Sequence, residues 1–356
     1  MFDFADVLLE VLNLNASDLH LTAGSPPMVR EKGRLRALDY PQMSSQMTRE
    51  IIYSILTNDQ RKKLENEWQI DFAYSIPGKA RFRVNAYFQR ASLGAAFRLI
   101  PNEMPELDSL GLPPVLRDFT KKPRGFVLVT GPTGSGKSTT LAAMLDVINR
   151  ERHEHIMTIE DPIEFLHHHK SCVVNQREIG SDAQSFSLGL KAALRQDPDV
   201  ILVGEMRDLD TISTALTAAE TGHLVFATLH TQDTAQTVDR IVDVFPPAQQ
   251  HQVRVQLSVA LQGIATQQLL PTADGQGRCC ATEVLVPTPA VRNLIREGKT
   301  HQIYSVLQTG GQHGMQTMDA ALADLVRRQK ISRELAESRS SSPEELRRLM
   351  GTVRVA

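Results

Sequence analysis

One short segment constrains the fold of this chain more than any other. Residues 131–138 read Gly-Pro-Thr-Gly-Ser-Gly-Lys-Ser, which matches the phosphate-binding P-loop pattern at every fixed position. The segment follows an apolar stretch, 126–129, and precedes an amphipathic one, 138–150, so a strand, a glycine-rich turn and a helix are predicted. A P-loop requires this context, because loop amides and the start of the helix bind the phosphates together. We therefore predict a site for a nucleoside triphosphate.

The residues of the loop have distinct predicted roles. Lys137 is expected to bridge the β- and γ-phosphates, and Ser138 is expected to ligate Mg²⁺. The alternative, a glycine-rich turn without a ligand, does not require the strand and the helix on either side. The predicted nucleotide-binding residues are Gly131, Pro132, Thr133, Gly134, Ser135, Gly136, Lys137, Ser138 and Thr139.

Hydrolysis needs a group that orients or deprotonates water, and Glu205 is the candidate. It follows an apolar predicted strand, 200–203, where the usual Mg²⁺-contacting aspartate is absent and a glutamate stands in the position of a base. An earlier acidic cluster, Glu160, Asp161 and Glu164, offers oxygen ligands near a metal ion. Taken alone, that cluster fits a solvated turn equally well.

Histidines are the other candidate site residues. His230 ends a third predicted strand, 224–229, and ligands bind outside the carboxyl ends of strands in an open α/β sheet. A lone histidine there is more often structural. The three consecutive histidines 167–169 diverge from one another on an irregular segment, so they are interpreted as solvated and not as metal ligands.

The periodicity of apolar residues divides the chain into parts. Residues 1–100 predict a small α+β unit with a helix over 48–67 and a β-hairpin formed by 71–74 and 81–89. Residues 101–123 predict a linker, rich in proline at its start. From 124 to 356, apolar strands between amphipathic helices indicate a parallel sheet covered on both faces. The last hundred residues predict helices, the final one beginning with a capping box over 342–345.

Composition excludes several classes of protein. Lysine and arginine number 39 and aspartate and glutamate 41, a net charge of −2, which disfavours a protein that acts mainly on nucleic acid. The N-terminus is acidic, unlike a signal peptide, and no apolar run approaches the roughly 20 residues that span a bilayer. We expect a cytoplasmic protein that reaches the inner face of the membrane only through a partner.

Four motifs together resemble those of the secretion ATPases of type IV pilus and type II secretion systems. Segments 131–138, 160–164, 202–208 and 223–230 correspond to the Walker A, Asp box, Walker B and His box of that family. Segments 16–21, 80–85 and 290–297 resemble the pilus-retraction members in particular. The resemblance extends over residues 3–335.

The resemblance implies a fold and a chemistry. The implied fold is α/β: a PAS-like N-terminal α+β domain over 1–100, the linker 101–123, and a RecA-like P-loop ATPase domain with a helical C-terminal extension over 124–356. ATP and Mg²⁺ are the implied cofactors, with Glu160, Asp161 and Glu164 around the metal and its waters. The catalytic residues it implies are Glu205, Glu164, His230, Arg81, Arg83 and Arg98, the arginines contacting phosphate within or between subunits. His223 and His230 would sense the nucleotide, and Arg195 and Arg207 would bridge subunits.

The segment 290–297 resembles a motif that the retraction members need for retraction but not for hydrolysis. Its residues are Ala290, Val291, Arg292, Asn293, Leu294, Ile295, Arg296 and Glu297. Helical spacing places Val291, Leu294 and Ile295 on one apolar stripe, which by itself indicates only core packing. Val291 stands where the usual motif has isoleucine, a volume-conserving change.

The implied function is a hexameric motor that hydrolyses ATP to retract type IV pili. The implied partners are further copies of the chain, an inner-membrane platform protein and a paralogous retraction ATPase, without nucleic acid. Assembly and type II secretion ATPases generally carry a long extra N-terminal domain and a four-cysteine zinc motif, whereas this chain starts at the PAS-like unit and has three cysteines. An accessory paralogue of the retraction motor is harder to separate. A RecA-like DNA translocase is disfavoured by the net charge and by the lack of a run of five basic residues.

Overall fold

The chain folds into two compact units, Met1–Glu103 and Met104–Ala356. The coordinates are a computed structural model, which describes residues 3–31, 33–100 and 104–351. Within these ranges no helix is both long enough and apolar enough to cross a membrane.

The first unit is built on a six-stranded antiparallel sheet in the order β3-β2-β1-β6-β5-β4. Its elements are α1 (Phe4–Asn13), β1 (Asp18–Leu21), β2 (Met28–Glu31), β3 (Arg34–Ala37), α2 (Ser45–Ser54), α3 (Asn58–Glu67), β4 (Gln69–Ile76), β5 (Ala80–Gln89) and β6 (Ser92–Ile100). The predicted hairpin is confirmed as β4 and β5, in which Phe82 and Val84 are buried while Arg83 is exposed.

The single helix predicted over 48–67 is wrong, because the chain forms two helices there. Thr57 caps α3: its hydroxyl accepts from the backbone N–H of Gln60, and the Gln60 side chain accepts from the N–H of Thr57. This is a capping box, and it starts a new helix at Asn58, within the stretch that was predicted as one helix.

The second unit is a seven-stranded sheet in the order β13-β12-β7-β11-β10-β8-β9, parallel except for the β12–β13 pair. A 3-10 helix covers Leu107–Leu110. The elements are α4 (Val115–Thr120), β7 (Gly125–Thr130), α5 (Lys137–Glu151), β8 (His155–Glu160), β9 (Val173–Glu178), α6 (Phe186–Ala193), β10 (Val200–Val203), α7 (Leu209–Glu220), β11 (Leu224–Leu229), α8 (Thr234–Asp243), α9 (Pro247–Ala260), β12 (Leu261–Pro271), β13 (Arg278–Leu285), α10 (Pro289–Glu297), α11 (Ile303–Thr309), α12 (Met318–Arg327), α13 (Arg333–Arg339) and α14 (Pro343–Met350). The predicted strand–loop–helix and parallel α/β sheet are confirmed.

Both faces of the second sheet are covered, and β7 shows why its sequence is apolar throughout. Phe126 and Leu128 pack with residues of α6 to α10 on one face, while Val127 and Val129 pack with α4 and α5 on the other. Burial of each such side chain contributes about 1.5–3 kcal/mol. Residues 104–123, the larger part of the predicted linker, include the 3-10 helix and α4, which add to this second core.

The prediction that the last hundred residues are helical is wrong for 261–285, which form the β12–β13 hairpin. The capping box predicted over 342–345 is also wrong: Ser342 precedes α14, but its side chain makes no capping hydrogen bond. Its backbone N–H instead donates to the buried carboxylate of Asp319, which also accepts from the hydroxyls of Ser340 and Ser341. The carboxylate of Asp319 thereby fixes the start of α14 against α12.

A second buried carboxylate, Glu283 on β13, holds the first turns of two helices. Its Oε1 accepts from the N–H and the hydroxyl of Thr234 at 2.8 and 2.9 Å, and its Oε2 accepts from the N–H of Met318 at 3.2 Å. Thr234 begins α8 and Met318 begins α12. One side chain therefore links the helix that follows β11 to the C-terminal helices.

Candidate nucleotide-binding and catalytic site

The P-loop lies between the end of β7 at Thr130 and the start of α5 at Lys137. Gly131 has a φ of 137°, and a Cβ there would lie 2.4 Å from the carbonyl oxygen of Gln267, so this position requires glycine. The N-cap residue of α5 is Gly136, which has no side chain to bond the amides of the first turn. Those amides remain available to an anion.

Lys137 is buried at the base of the loop, and its ammonium points back into it. Nζ donates to the carbonyl oxygens of Gly131 at 2.8 Å and Pro132 at 3.0 Å. Burial lowers the pKa of Lys137, while the negative charges of Glu205 and Glu164 act in the opposite direction. The two carbonyl oxygens hold the ammonium group of Lys137 at the loop. Anionic phosphate oxygens bound there would form stronger, charge-assisted hydrogen bonds with it.

A small cavity of about 30 Å³ lies beside Ser138, where Mg²⁺ was predicted. A water molecule needs roughly 10–15 Å³ of such space. Ser138, Glu160 and Glu164 line this cavity, while Asp161 is exposed and lies outside the lining. The structure thus brings together three of the four predicted metal residues.

The donor set is suited to a magnesium ion that keeps most of its waters. Glu160 Oε1 accepts from the hydroxyl of Thr158 at 2.6 Å and from the amide of Gln176 at 3.1 Å. Burial, aided by the charge of Glu164, raises the pKa of Glu160 to about 7. Over the described ranges, no group of three or more acidic, histidine or cysteine side chains converges into an all-protein cage. Mg²⁺ commonly takes one or two carboxylates and completes its shell with phosphate and water, so the residues fit.

Two residues of this region were missed or misjudged from the sequence. His167 lines the same cavity, and burial lowers its pKa to about 4, so the interpretation of 167–169 as solvated is wrong for His167. Glu178 at the end of β9 is buried, and its Oε2 accepts from the N–H of Ile163 at 3.1 Å. That bond fixes the loop that carries Asp161 and Glu164.

Glu205 follows β10 and lies between two cationic or proton-donating groups. Its Oε2 accepts from Arg207 at 2.7 Å, and its Oε1 lies 3.2 Å from Nε2 of His230. The hydrogen bond from Arg207 holds the pKa of Glu205 below its usual range, burial opposing it. Gly204 positions this turn close to β8, because a Cβ there would lie 3.1 Å from the carbonyl oxygen of Ile159.

A larger cavity, of about 460 Å³, lies on the other side of the P-loop, beside Gly136 and Thr140. This volume is in the range of about 300–1,000 Å³ typical of small-molecule sites. Its lining combines apolar and polar side chains, among them Leu110, Leu112, Leu269, Ser135, Gln267 and Arg278. In the part of the chain that the structure describes, Ser135 Oγ and Gln267 Oε1 are buried without a hydrogen-bond partner, as ligand-binding atoms often are. No local pattern in the sequence indicates Gln267 or Arg278, because β12 and β13 carry no motif.

Other predicted residues lie away from the loop. His223 precedes β11 at its amino end, where Nδ1 contacts the carbonyl oxygen of Ala218 at 2.9 Å. His230 lies at the opposite, carboxyl end of that strand, about 23 Å away at roughly 3.3 Å per residue. The structure does not bring His223 to the nucleotide site of its own chain. Arg195 is exposed just after α6.

The three predicted arginines of the first unit, Arg81, Arg83 and Arg98, lie on β5 and β6. Arg83 and Arg98 are direct cross-strand neighbours. Two like charges in such positions destabilise a sheet. Arg98 is partly compensated, because its Nε donates to the buried Asp18 at 2.9 Å.

The segment 290–297 forms α10, whose Val291 and Ile295 are buried and Leu294 partly buried, as the predicted stripe requires. Arg292 is half-buried and donates to the carbonyl oxygens of Ser258 and Val259 at the end of α9. Burial lowers the pKa of its guanidinium. Arg292 therefore caps α9, a contact that no feature of the sequence indicates.

Known proteins match this arrangement over nearly the whole chain. A family model described as type II/IV secretion system protein matches residues 3–337. The chain is 52% identical over 342 residues to the type IV pilus retraction ATPase PilT of Pseudomonas aeruginosa, covering 96% of this chain and 99% of that protein. It is 50% identical over 339 residues to a twitching motility protein of Neisseria gonorrhoeae, covering 94% and 91%. A crystal structure of the pilus retraction motor PilT with bound ADP superposes with a TM-score of 0.92 at 50% identity, covering 98% of this chain and 100% of that one.

Proposed function

This chain belongs to the type II/IV secretion system protein family, and we propose that within the family it is the motor ATPase that retracts type IV pili. It is an ATPase with a nucleotide site at its P-loop. The observation that carries the proposal is that the similarity to PilT extends over both units and nearly the full length of both proteins. Pilus retraction in turn supports twitching motility.

In the proposed site, the triphosphate of ATP lies along the P-loop and the nucleoside enters the cavity lined by Gln267 and Arg278. Lys137 exchanges its loop carbonyls for phosphate oxygens, and the amides of α5 bind the β-phosphate. Ser138 would hold Mg²⁺, with Glu160 and Glu164 reaching it directly or through water. Bound there, the metal would neutralise charge on the phosphates.

Glu205 is the proposed catalytic glutamate. As long as Arg207 is bonded to it, its lowered pKa makes it a weak base, so it acts by orienting the attacking water. His230, at 3.2 Å, fixes the other carboxylate oxygen and faces the site from the end of β11. Release of Arg207 toward a phosphate or a neighbouring subunit would raise the basicity of Glu205, which is the role we propose for this arginine.

The motor is proposed to be a hexamer that acts at the inner face of the membrane through a platform protein. Arg81, Arg83 and Arg98 are the proposed phosphate contacts of the first unit, and the unfavourable pairing of Arg83 with Arg98 supports an anion as their partner. Arg195 and Arg207 are the proposed bridges between subunits. We propose that α10, through the motif 290–297, transmits the stroke to the pilus machine.

The test combines a deletion strain with one isosteric variant. Cells without the gene are expected to be covered in pili that no longer retract when labelled pili are imaged. Glu205→Gln is expected to reproduce that phenotype while binding ATP with near-normal affinity, since Lys137 and the loop amides remain. Glu334→Gln, which changes an exposed carboxylate on α13, is the matched control and should retract normally.

Two outcomes would contradict the proposal. Bald cells in the deletion strain would identify an assembly motor. Normal ATP turnover by the Glu205→Gln protein would refute the assignment of the catalytic glutamate.

A further inference from the structure

Four buried threonine side chains lie between the P-loop strand and the loop that carries His230. We call Thr130, Thr231, Thr237 and Thr266 the threonine cluster; each is 5% exposed or less. None of them has a role in the chemistry described above. A buried hydroxyl group without a hydrogen-bond partner costs free energy, so each of these side chains needs a partner inside the protein.

The hydroxyl groups of the cluster are in hydrogen-bond contact across three elements and one loop. Thr130 Oγ1 lies 2.7 Å from Thr266 Oγ1, and Thr231 Oγ1 lies 2.6 Å from Thr237 Oγ1. Thr130 and Thr237 are 3.5 Å apart, which joins the two pairs. The cluster thereby connects the last residue of β7, the facing residue of β12, helix α8 and the residue after His230.

The direction of the hydrogen bond between Thr231 and Thr237 follows from the helix. The hydroxyl of Thr237 donates to the carbonyl oxygen of Asp233, four residues earlier, at 2.7 Å. A hydroxyl has one proton and two lone pairs, so Thr237 accepts from Thr231. The position of Thr231 therefore depends on the oxygen of Thr237, which a valine of the same shape would not supply.

Both ends of the cluster are directly attached to the active site. Thr130 precedes Gly131, the first residue of the P-loop, and Thr231 follows His230, whose ring contacts Glu205 at 3.2 Å. We propose that Thr237 is a positioning residue, which holds the loop of His230 in register with the P-loop and so keeps His230 on Glu205. The inference rests on the proposed roles of Glu205 and His230.

The experiment compares Thr237→Val with Thr237→Ser in steady-state ATP hydrolysis by the full-length protein. Thr237→Val is expected to lower kcat about tenfold, equivalent to about 1.4 kcal/mol of transition-state stabilisation, without changing KM for ATP. Thr237→Ser keeps the hydroxyl and should restore kcat. Thr120→Val, which removes a buried hydroxyl bonded to the carbonyl oxygen of Arg117 on α4, is the matched control and should leave turnover unchanged.

A second variant removes the same hydrogen bond from its donor side. Thr231→Val should lower kcat as Thr237→Val does, so the inference can be tested even if one of the two proteins fails to fold. In a His230→Ala background, Thr237→Val should have little further effect, because a residue that acts through His230 has nothing left to position.

Several results would overturn the inference. Thr237→Val with normal kcat, or full additivity of Thr237→Val with His230→Ala, would reduce the cluster to a feature of core packing. If Thr237→Ser lowered kcat as much as Thr237→Val does, the cluster would likewise be only a feature of core packing. If His230→Ala alone left kcat unchanged, the proposed role of His230 would be refuted, and the inference about Thr237 with it. If His230→Ala lowered kcat and Thr237→Val lowered it further by its full amount, only the inference about Thr237 would be refuted.

Discussion

Replacing Glu283 with glutamine is expected to destabilise the second unit by about 2 kcal/mol, the cost of one buried donor left without an acceptor. In the native protein the two carboxylate oxygens accept three hydrogen bonds, two from Thr234 and one from Met318. A glutamine keeps one acceptor oxygen and places an NH₂ group against the remaining backbone N–H. Glu283→Ala loses all three and should cost about 4 kcal/mol, which is exceptional for one substitution.

Thermal unfolding followed by circular dichroism measures this effect. For a unit of this size, each kcal/mol lowers Tm by about 2–4 °C, so Glu283→Gln should unfold about 4–8 °C below the parent. Glu106→Gln is the matched control, because Glu106 is an exposed carboxylate whose partner Arg150 is 3.5 Å away on the surface. Exposed ion pairs contribute little, so its Tm should not change.

The pH dependence checks the same reasoning. Burial raises the pKa of Glu283 above its ordinary value of 4.5, although the hydrogen bonds from Thr234 oppose the shift. The contribution of Glu283 to the free energy of unfolding is fully present below the pKa that its carboxyl group has in the unfolded chain. That contribution is lost as the pH rises through the higher pKa of the folded protein. The difference in free energy of unfolding between the parent and Glu283→Gln should therefore become smaller as the pH increases. A glutamine variant as stable as the parent at every pH would refute the view that these three hydrogen bonds stabilise the second unit.

Three further predictions follow from other contacts. Lys137→Ala should weaken ATP binding in a calorimetric titration, and unchanged affinity would contradict its phosphate contact. Burial alone would raise the pKa of Asp18, yet hydrogen bonds from Ser17 and Arg98 keep the pKa below its ordinary value. The stabilisation from Asp18 is therefore present above the unfolded pKa and is lost as the pH falls through the folded pKa. Asp18→Asn should remove this loss of stability at acid pH, and an unchanged dependence of stability on acid pH would contradict the role of Asp18. Leu346→Ala empties a fully buried position on α14 and should cost about 2–5 kcal/mol, seen as faster hydrogen exchange in 343–350, whereas unchanged exchange would show that the helix is held by its polar contacts alone.

The parts of the site that could be predicted from sequence are those in which neighbouring residues act together. The P-loop is read from eight consecutive residues, and its lysine, serine and glycines lie where the motif requires. Glu205 can be predicted because it lies two residues after the end of a fully apolar strand. In both cases a strand directs the following residue to the carboxyl edge of the sheet, so spacing along the chain determines position in space.

The parts that could not be predicted depend on contacts between distant segments. Burial of His167 results from packing beside Ser138, which a run of three histidines does not reveal. Strand β12 contains Gln262, Gln267 and Gln268, so it lacks the apolar pattern of a central strand, and the hairpin was missed. The residues 342–345 fit a capping box, but Asp319 offered the Ser342 amide a partner from another helix.

The junction between α9 and β12 has a consequence for the tolerance of this chain to length changes. The helix ends at Ala260 and the strand begins at Leu261, with no residue between them and with Arg292 bonded to the carbonyl groups of the last turn. Most helix–strand connections have several residues that can absorb an insertion. Here a single added residue would unwind the capped turn, enlarge the irregularity in the pairing with β7 between Leu261 and Gly263, or shift β12 by one position, which turns its side chains to the opposite face. The length of chain between α9 and β12 therefore determines both the cap on the helix and the register of the strand beside β7.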